Sequence, residues 1–473
     1  MKRLLLTIGC LCISFITFAQ QDDFSLEAIS NIGLKIIQIE TVNHEKPTCD
    51  LVEAPEGSMG MTVTNTNTVP CKIVITQLND TLYDSGEYEQ SVSGATIKIN
   101  GNTSAYFSTK DNYPYKLKLQ KKKDLLFRND DQYADKNWRL IKDTYTLNTI
   151  IGFKISELLQ FPWTPNYTPC NVFINGEYIG CYLLIESVKR NEDCRLDVDK
   201  ESGYIVERDP YWWNESDYFT TDYFEPYPRY RWTWKYPSKE NITPSYESYI
   251  TNYINQSEQS IKNGTYEKFI DVHSFARWIL VHDILGSSDS GGTNIYVTKY
   301  DNSPESVLQM PVLWDFDSNF RMEPGQFCKC HNEEKDYYYY HLFNSDNKIF
   351  TKVYKQLWNN IKPFLRDSIC GYISDYINSK EGKALEKSRE IYFKRMEYTE
   401  TTTMEEDALE AITWFGNHLI LLDDEIGKLD ETTEIRKVTV DNSNKVIYNL
   451  SGIRIKNIRK GLYIKDKKLY IQK

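Results

Sequence analysis

Two short stretches hold the residues best suited to chemistry. Residues 288–294 read SDSGGTN and place Asp289 five positions before Asn294 in a loop of glycine, serine and threonine. Residues 312–317 read VLWDFD and close an apolar, strand-like run on Asp315 and Asp317. Carboxylate and amide oxygens are hard donors, suited to magnesium or manganese rather than to softer ions. A divalent ion held by such groups can bridge the phosphates of a nucleotide. The Asp–Asn spacing alone is weak, because Asp and Asn also cap turns by accepting backbone N–H groups. The rest of the chain has to place these residues.

The elements that would position them fall into two halves. Residues 33–42, 72–77, 96–99 and 115–119 are rich in β-branched residues or alternate strictly, so the first half reads as strands. Residues 171–185 (NVFINGEYIGCYLLI) form a hairpin around Asn175-Gly176, the strongest short turn signal. One helix, over 146–159, stands among these strands. After about residue 244 the spacing turns helical, over 246–263, 274–285, 350–378 and 404–429. A β pair, 294–300 with 312–315, interrupts the helices and carries the acids. The lysines at 121–123 read as a solvated turn after the 115–119 strand.

The chain has 473 residues, 40% of them hydrophobic, which allows a large core and two or three domains. Its net charge of −11 argues against nucleic-acid binding, which needs a positive field. The N-terminus has Lys2 and Arg3, an apolar run from Leu4 to Phe18, and Ala19, so export with cleavage after Ala19 is expected. Cys10 follows Thr-Ile-Gly, a poor lipid-attachment box. No other segment reaches about twenty apolar residues, so no transmembrane segment is expected. Removing Cys10 and Cys12 leaves eight of the ten cysteines, which in an exported chain allows disulfides or free thiols. Cys328, Cys330 and His331 lack a second pair at zinc spacing.

Several short motifs in order carry a resemblance. They are Gly101-Asn102-Thr103-Ser104, the 113–119 stretch YPYKLKL, Asn137-Trp138-Arg139-Leu140 with Asp143 after it, and Asn175-Gly176-Glu177-Tyr178-Ile179-Gly180. Tyr182-Leu183-Leu184-Ile185-Glu186, Gly203-Tyr204-Ile205-Val206-Glu207, Asp271-Val272-His273-Ser274-Phe275, Asp289 and the 311–317 stretch PVLWDFD follow. Over roughly residues 93–425 the chain resembles the CotH kinase family, secreted or spore-coat kinases with an atypical protein-kinase fold. The resemblance implies an α+β, two-lobed, kinase-like fold with ATP as co-substrate and Mg2+ or Mn2+ as cofactor. It implies that Asp289 positions or deprotonates the acceptor hydroxyl, and that Asn294, Asp315 and Asp317 hold the metal. Gly101, Asn102 and Ser104 would form the phosphate-facing turn, Lys116 or Lys118 would pair with the phosphates, and Glu186 would sit beside the adenine. The chain departs from the family at Asn100, where arginine is frequent, and at residues 146–149, where many relatives carry another arginine.

The expected plan is therefore a signal peptide (1–19), an N-terminal β-rich extension (20–92), a CotH-like kinase domain (93–430) and a small β tail (437–473). That tail (KVIYNLSGIRIKNIRKGLYIKDKKLYIQK over 445–473) looks like the sorting or attachment tails of exported proteins from anaerobic Gram-negative bacteria. The expected function is an exported kinase, periplasmic, surface-associated or secreted, acting on Ser or Thr of secreted or surface proteins. Two alternatives stand beside it. One is a catalytically weak pseudokinase. The other is a surface protein that binds glycan or envelope through the aromatics of 211–236, whose blander reading is an insert packed on the helices.

Overall fold

Alternation of inward and outward residues builds the first half. The structure, a computed structural model, describes residues 23–429 apart from 57–61, 65–66, 79, 143–146, 216, 223–230, 291–293 and 333–337, together with the backbone of four strands between 447 and 472. Its first strands are β1 (Lys35–Thr41), the small hairpin β2 (Asp50–Val52) and β3 (Thr62–Thr64), β4 (Val69–Gln77), β5 (Asp80–Asp84), β6 (Ala95–Ile99), β7 (Tyr115–Lys123), β8 (Asp135–Ile141), β9 (Tyr167–Ile174) and β10 (Glu177–Glu186). In β7, Tyr115, Leu117 and Leu119 are buried while Lys116 and Lys118 point to the other face. Ile97 and Ile99 of β6, Trp138 and Leu140 of β8, and Cys170 and Val172 of β9 join them in one core.

The fold is α+β, as expected, but its β half closes. The strands run β1, β9, β10, β8, β7, β6, β4, and β4 returns to pair with β1. A two-lobed plan does not call for such a barrel. Closure follows from β4, which is long enough to pair antiparallel with β1 on one edge and with β5 and β6 on the other. A closed sheet leaves no ring edge unpaired. Strands from both sides of residue 93 share this sheet. The turn at Asn175 (φ 52°) and Gly176 (φ 79°) has both central residues left-handed, as a two-residue hairpin requires. Lys121, Lys122 and Lys123 are solvated as expected, yet they continue β7 rather than forming a turn.

The helices are α1 (Leu26–Ser30), α2 (Thr103–Tyr106), α3 (Asn148–Leu158), α4 (Pro244–Lys262), α5 (Val272–Leu285), α6 (Tyr338–Asn344), α7 (Ile349–Asn378), α8 (Lys380–Met396) and α9 (Met404–Gly427). Sequence sets their ends. Asp271 caps α5 by accepting from the Ser274 N–H, and Gly286 ends it at φ 55°. Thr403 and Glu406 form a capping box at α9. Helix α8 is absent from the hydrophobic periodicity because most of its residues are charged; Ser379 starts it by accepting from the Gly382 N–H.

A second sheet, in the order β12 (Tyr218–Phe219), β13 (Arg231–Tyr236), β11 (Tyr204–Asp209), β14 (Ile295–Lys299), packs against the helices. The expected pairing of 294–300 with 312–315 is corrected here. Strand β14 pairs with β11, residues 312–315 form no strand, and among the described residues the return segment's backbone pairs with β14 at the Thr298–Gln309 bridge. Pro311 lacks the N–H a ladder needs, and Asp315 at φ 65° breaks the extended run. The tail strands β15 (Ile447–Asn449), β16 (Arg454–Ile455), β17 (Gly461–Lys465) and β18 (Lys468–Gln472) form a sheet of their own. Among the described residues no helix is long and apolar enough to cross a membrane.

Candidate active site

The barrel wall formed by β6, β7 and β8 carries the first half of the site. Register places Lys98 opposite Lys116 and Lys116 opposite Arg139, on the face turned away from the barrel core. Directly opposed cross-strand side chains sit about 5 Å apart, so three cations stand in a row. Burial, with Arg139, Lys98 and Lys235 around it, lowers the Lys116 pKa to about 7. Lys98 is lowered for the same two reasons, burial and neighbouring cations. Such a row is unfavourable by itself and favourable once an anion lies across it.

The second sheet supplies a counter-set. Lys235 Nζ lies 2.7 Å from Glu207, and burial of this lysine is outweighed by Glu207, Glu215 and Asp209, which raise its pKa. Lys235 and the barrel cations hold Glu215 below the usual carboxylate range. Asp209, buried and repelled by Glu207, is pushed up to about 7. The turn at Gly101 (φ 83°) reaches this sheet: Thr103 Oγ1 lies 2.6 Å from Tyr211 Oη, and Asn214 Nδ2 donates to Asn102 Oδ1 at 3.1 Å. A Cβ at Gly101 would fall 2.4 Å from Ser104 Oγ, so glycine lets the turn close on itself. Gly101 and Asn102 thus form the turn into α2, whose first residues are Thr103 and Ser104, beside the charged cluster.

The acids lie on the loops after α5 and before residue 320. Asp289 and Asp317 are both exposed. Ser318 ties them: the Asp289 N–H donates to Ser318 Oγ at 3.1 Å and the Ser288 N–H to Ser318 O at 3.2 Å. Packing around the Asp317 carboxyl raises its pKa; Arg321 opposes this and Asp289 adds to it, so the two acids stand within interaction range. Asn294 (φ 58°) and Asp315 (φ 65°) are left-handed, a strained state for such residues that clusters at functional sites. Phe316 between the acids is buried edge-on against Phe153 of α3, 5.2 Å between centroids. Asn319 Nδ2 donates to Asn148 O, and its buried Oδ1 has no partner among the described residues.

A buried hub fixes the Asp289 loop from below. Asp283, fully buried near the end of α5, accepts from the Cys328 N–H, His331 Nε2 and Tyr354 Oη, each at 2.8 Å. Its own carbonyl lies 2.6 Å from His418 Nε2 on α9. Cys328 and Cys330 are therefore packed in the core, and all eight cysteines among the described residues are free thiols.

Set against the sequence expectations, Asp289 and Asp317 come together. Asp315 shares their loop, but no group of three His, Cys, Asp or Glu side chains placed to hold a metal occurs among the described residues. Lys116 lies in the cation row, whereas Lys118 is exposed one step outside it. Glu186 is fully buried and occupied: Oε1 takes Arg128 at 2.8 Å and Oε2 takes the Asn166 N–H at 3.0 Å. Asp143 and residues 291–293 lie outside the described residues. Lys98, Lys235, Asp209, Glu215 and Asn319 escape the sequence reading, and Arg139 and Glu207 stand in its motifs without a role. The alternation of Thr96-Ile97-Lys98-Ile99 carries the signal for Lys98, since it puts the lysine on the face of Lys116. Arg139 answers the departure at Asn100: its guanidinium donates to Asn100 Oδ1 at 2.8 Å and lies over Trp314, joining the cation row to the acid segment. In the aromatic stretch, Trp212 and Trp232 are buried, with Arg231 over Trp212 and Phe219 stacked on Trp232, so they pack the second sheet.

The barrel's outer wall thus presents a row of cations, and Arg139 of that row lies over Trp314, the residue before the acids of the 315–317 segment. The chain belongs to the CotH kinase family: the family model described as CotH kinase protein matches residues 97–416. Membership carries a kinase-like function and, in general, the use of ATP and a divalent metal. No match was found among curated proteins.

Proposed function

We propose that the chain is an exported, ATP-dependent protein kinase that transfers the γ-phosphoryl group to Ser or Thr hydroxyls of secreted or surface proteins. The observation that carries this reading is the row Lys98, Lys116, Arg139, bridged through Trp314 to the loop of Asp315 and Asp317. The cation row and the Gly101 turn hold the phosphates. Asp289 orients the acceptor hydroxyl and takes its proton. Asp317, Asn294 and Asn319 present hard oxygens suited to magnesium or manganese, and the buried, unpartnered Asn319 Oδ1 beside the Asp317 loop fits a cation there. A divalent ion held by these oxygens would supply neutralisation of the charge on the transferred group. Asp315 supplies a further oxygen on the same loop. Export rests on the pattern of residues 1–19, and N-terminal sequencing of secreted protein is expected to begin at Gln20.

Incubation of the purified protein with labelled ATP and casein, with and without magnesium or manganese, tests the reading. Metal-dependent transfer is expected, falling at least 100-fold in Asp289→Asn. Asp317→Asn keeps the side-chain shape and is expected to abolish the metal-dependent part of the ATP-induced rise in Tm. A retained rise in Tm with no transfer would identify a pseudokinase. No ATP-dependent rise in any metal would overturn the nucleotide site itself.

A further inference from the structure

The outer face of α9 carries an unusual combination of exposure and charge. Leu409 and Ile420 are each 66% exposed and Leu421 48%. Leu409 and Ile420 are eleven residues apart, about three turns, so they share one face. Leu409, Pro324 and Trp414 form the floor of a shallow depression of ≈ 430 Å3 rimmed by Glu406 and Glu410. Leu421 extends it, standing against Gly325, where a Cβ would meet Leu421 Cβ at 2.5 Å. Seven acids lie on α9 (Glu405, Glu406, Asp407, Glu410, Asp423, Asp424 and Glu425) and no lysine or arginine. Asp407 is taken by Arg389, Asp423 by Lys362, and Asp424 and Glu425 by Lys428. Glu406 serves the helix cap. Glu405 and Glu410 have no ion-pair partner among the described residues.

Trp414 links the depression to the turn before the loop of Asp289. Trp414 packs on Gly286, the residue that ends α5, so closely that a Cβ there would fall 2.5 Å from the indole ring. Trp414 Nε1 donates to Met322 O at 3.1 Å, and the Met322 N–H donates to Gly286 O at 3.1 Å. Phe320, which follows the acid motif, stacks edge-on against the same indole at 5.0 Å between centroids. One side of a single tryptophan thus braces the turn that launches the Asp289 loop, and the same residue lines the depression.

We propose that this face of α9 docks the acceptor polypeptide, as an extended segment carrying apolar side chains flanked by lysine or arginine. The inference rests on the kinase reading for its purpose, and on the charge and shape of the groove for its chemistry. Apolar side chains of the segment cover Leu409, Ile420 and Leu421, and its cations meet Glu405 and Glu410. The stretch from Leu409 to Leu421 is about 18 Å long, the reach of five or six extended residues. An exposed apolar surface with a one-signed rim is the form such recognition takes.

Fluorescence anisotropy with a labelled twelve-residue peptide alternating leucine and lysine tests this, beside the same peptide with glutamate in place of lysine. The lysine peptide is expected to bind the purified protein and to weaken as salt rises, and the glutamate peptide is expected not to bind. The double substitution Leu409→Lys/Glu410→Lys reverses the groove at two exposed positions. It is expected to weaken the lysine peptide at least tenfold while leaving Tm and the ATP–manganese rise in Tm unchanged. Equal binding of the two peptides, equal binding to the variant, or no binding overturns the docking surface. A dimer seen by sedimentation in the wild type and lost in the variant would assign the face to a second copy and overturn it as well. The ATP–manganese rise in Tm separates the two readings: its presence without groove-specific binding sinks only the groove, and its absence beside groove-specific binding sinks only the nucleotide site.

Discussion

Lys116 is the residue whose setting most constrains the chemistry. Its amine is held at about 7 by burial and by Arg139, Lys98 and Lys235, with Glu215 opposing. The ordinary lysine value is near 10.5, so between about pH 7 and 10.5 the unfolded chain carries a proton that the folded chain lacks. Stability attributable to this group therefore rises with pH across that window and is least below pH 7. A phosphate across the row favours the charged amine and returns the proton. Nucleotide binding is expected to take up close to one proton near pH 8.5, and affinity is expected to fall up to about tenfold per pH unit above pH 7.5. Calorimetry in two buffers of different ionisation enthalpy measures the uptake. Lys116→Met should abolish it and weaken ATP at least tenfold, while Lys118→Ala, at an exposed position outside the row, should leave both intact. Proton uptake that survives in Lys116→Met would remove this lysine from the phosphate site.

At the scale of elements, α3 and the acid loop act as one piece because of a missing Cβ. A methyl at Gly152 would fall 2.4 Å from the ring of Phe316, so the glycine makes the seat for the aromatic between Asp315 and Asp317. Gly152→Ala must move Phe316 and with it both acids. Overpacking of this kind costs about 1–3 kcal/mol. The variant is expected to unfold at lower denaturant by that amount and to lose the metal-dependent rise in Tm. Gly371→Ala in α7, with no atom within 4 Å of the added carbon, is expected to gain about 0.5–1 kcal/mol and to leave the site alone. Urea titrations of the two variants check the contrast. The same scale shows what the sequence makes legible. The Asn175-Gly176 hairpin, the β7 alternation and helices α4, α5, α7 and α9 are written in local pattern, and so is the pairing of acids around Phe316. Barrel closure is not, because it depends on β4 meeting β1 and β6 across long separations. Arg139 is not, because its role needs the register that sets it beside Lys116 and Asn100. Helix α8 is not, because its charged residues hide the few that it buries.

The molecule as a whole has two large hydrophobic cores, one inside the barrel and one among the helices and second sheet. Helix α8 straps them together. Its Leu385 and Tyr392 belong to the helical core. Its polar groups reach the barrel: Ser388 Oγ accepts from Asn171 Nδ2 at 3.0 Å, Tyr392 Oη donates to Asn112 Oδ1 at 3.1 Å, and Arg395 donates to Tyr178 O and Lys110 O, both at 2.6 Å. The proposed nucleotide lies at the other junction, between the β6–β8 wall and the acid loop, so strap and ligand connect the same two cores at different places. Cooperative unfolding requires enough contact free energy between cores to make their separate melting unfavourable. Arg395→Ala with Tyr392→Phe removes three donors from the strap, one buried, one half-buried and one exposed, each worth up to about 1 kcal/mol. The wild type is expected to show one calorimetric transition for the barrel and helices. The double variant is expected to split it, with the barrel melting first because its core is the smaller. ATP with manganese should then merge the two transitions again, because a ligand that touches both cores stabilises only the state in which both are folded. If the variant splits and the ligand raises one transition without joining them, the nucleotide contacts one core alone, and the site does not span the junction between Arg139 and the acid loop.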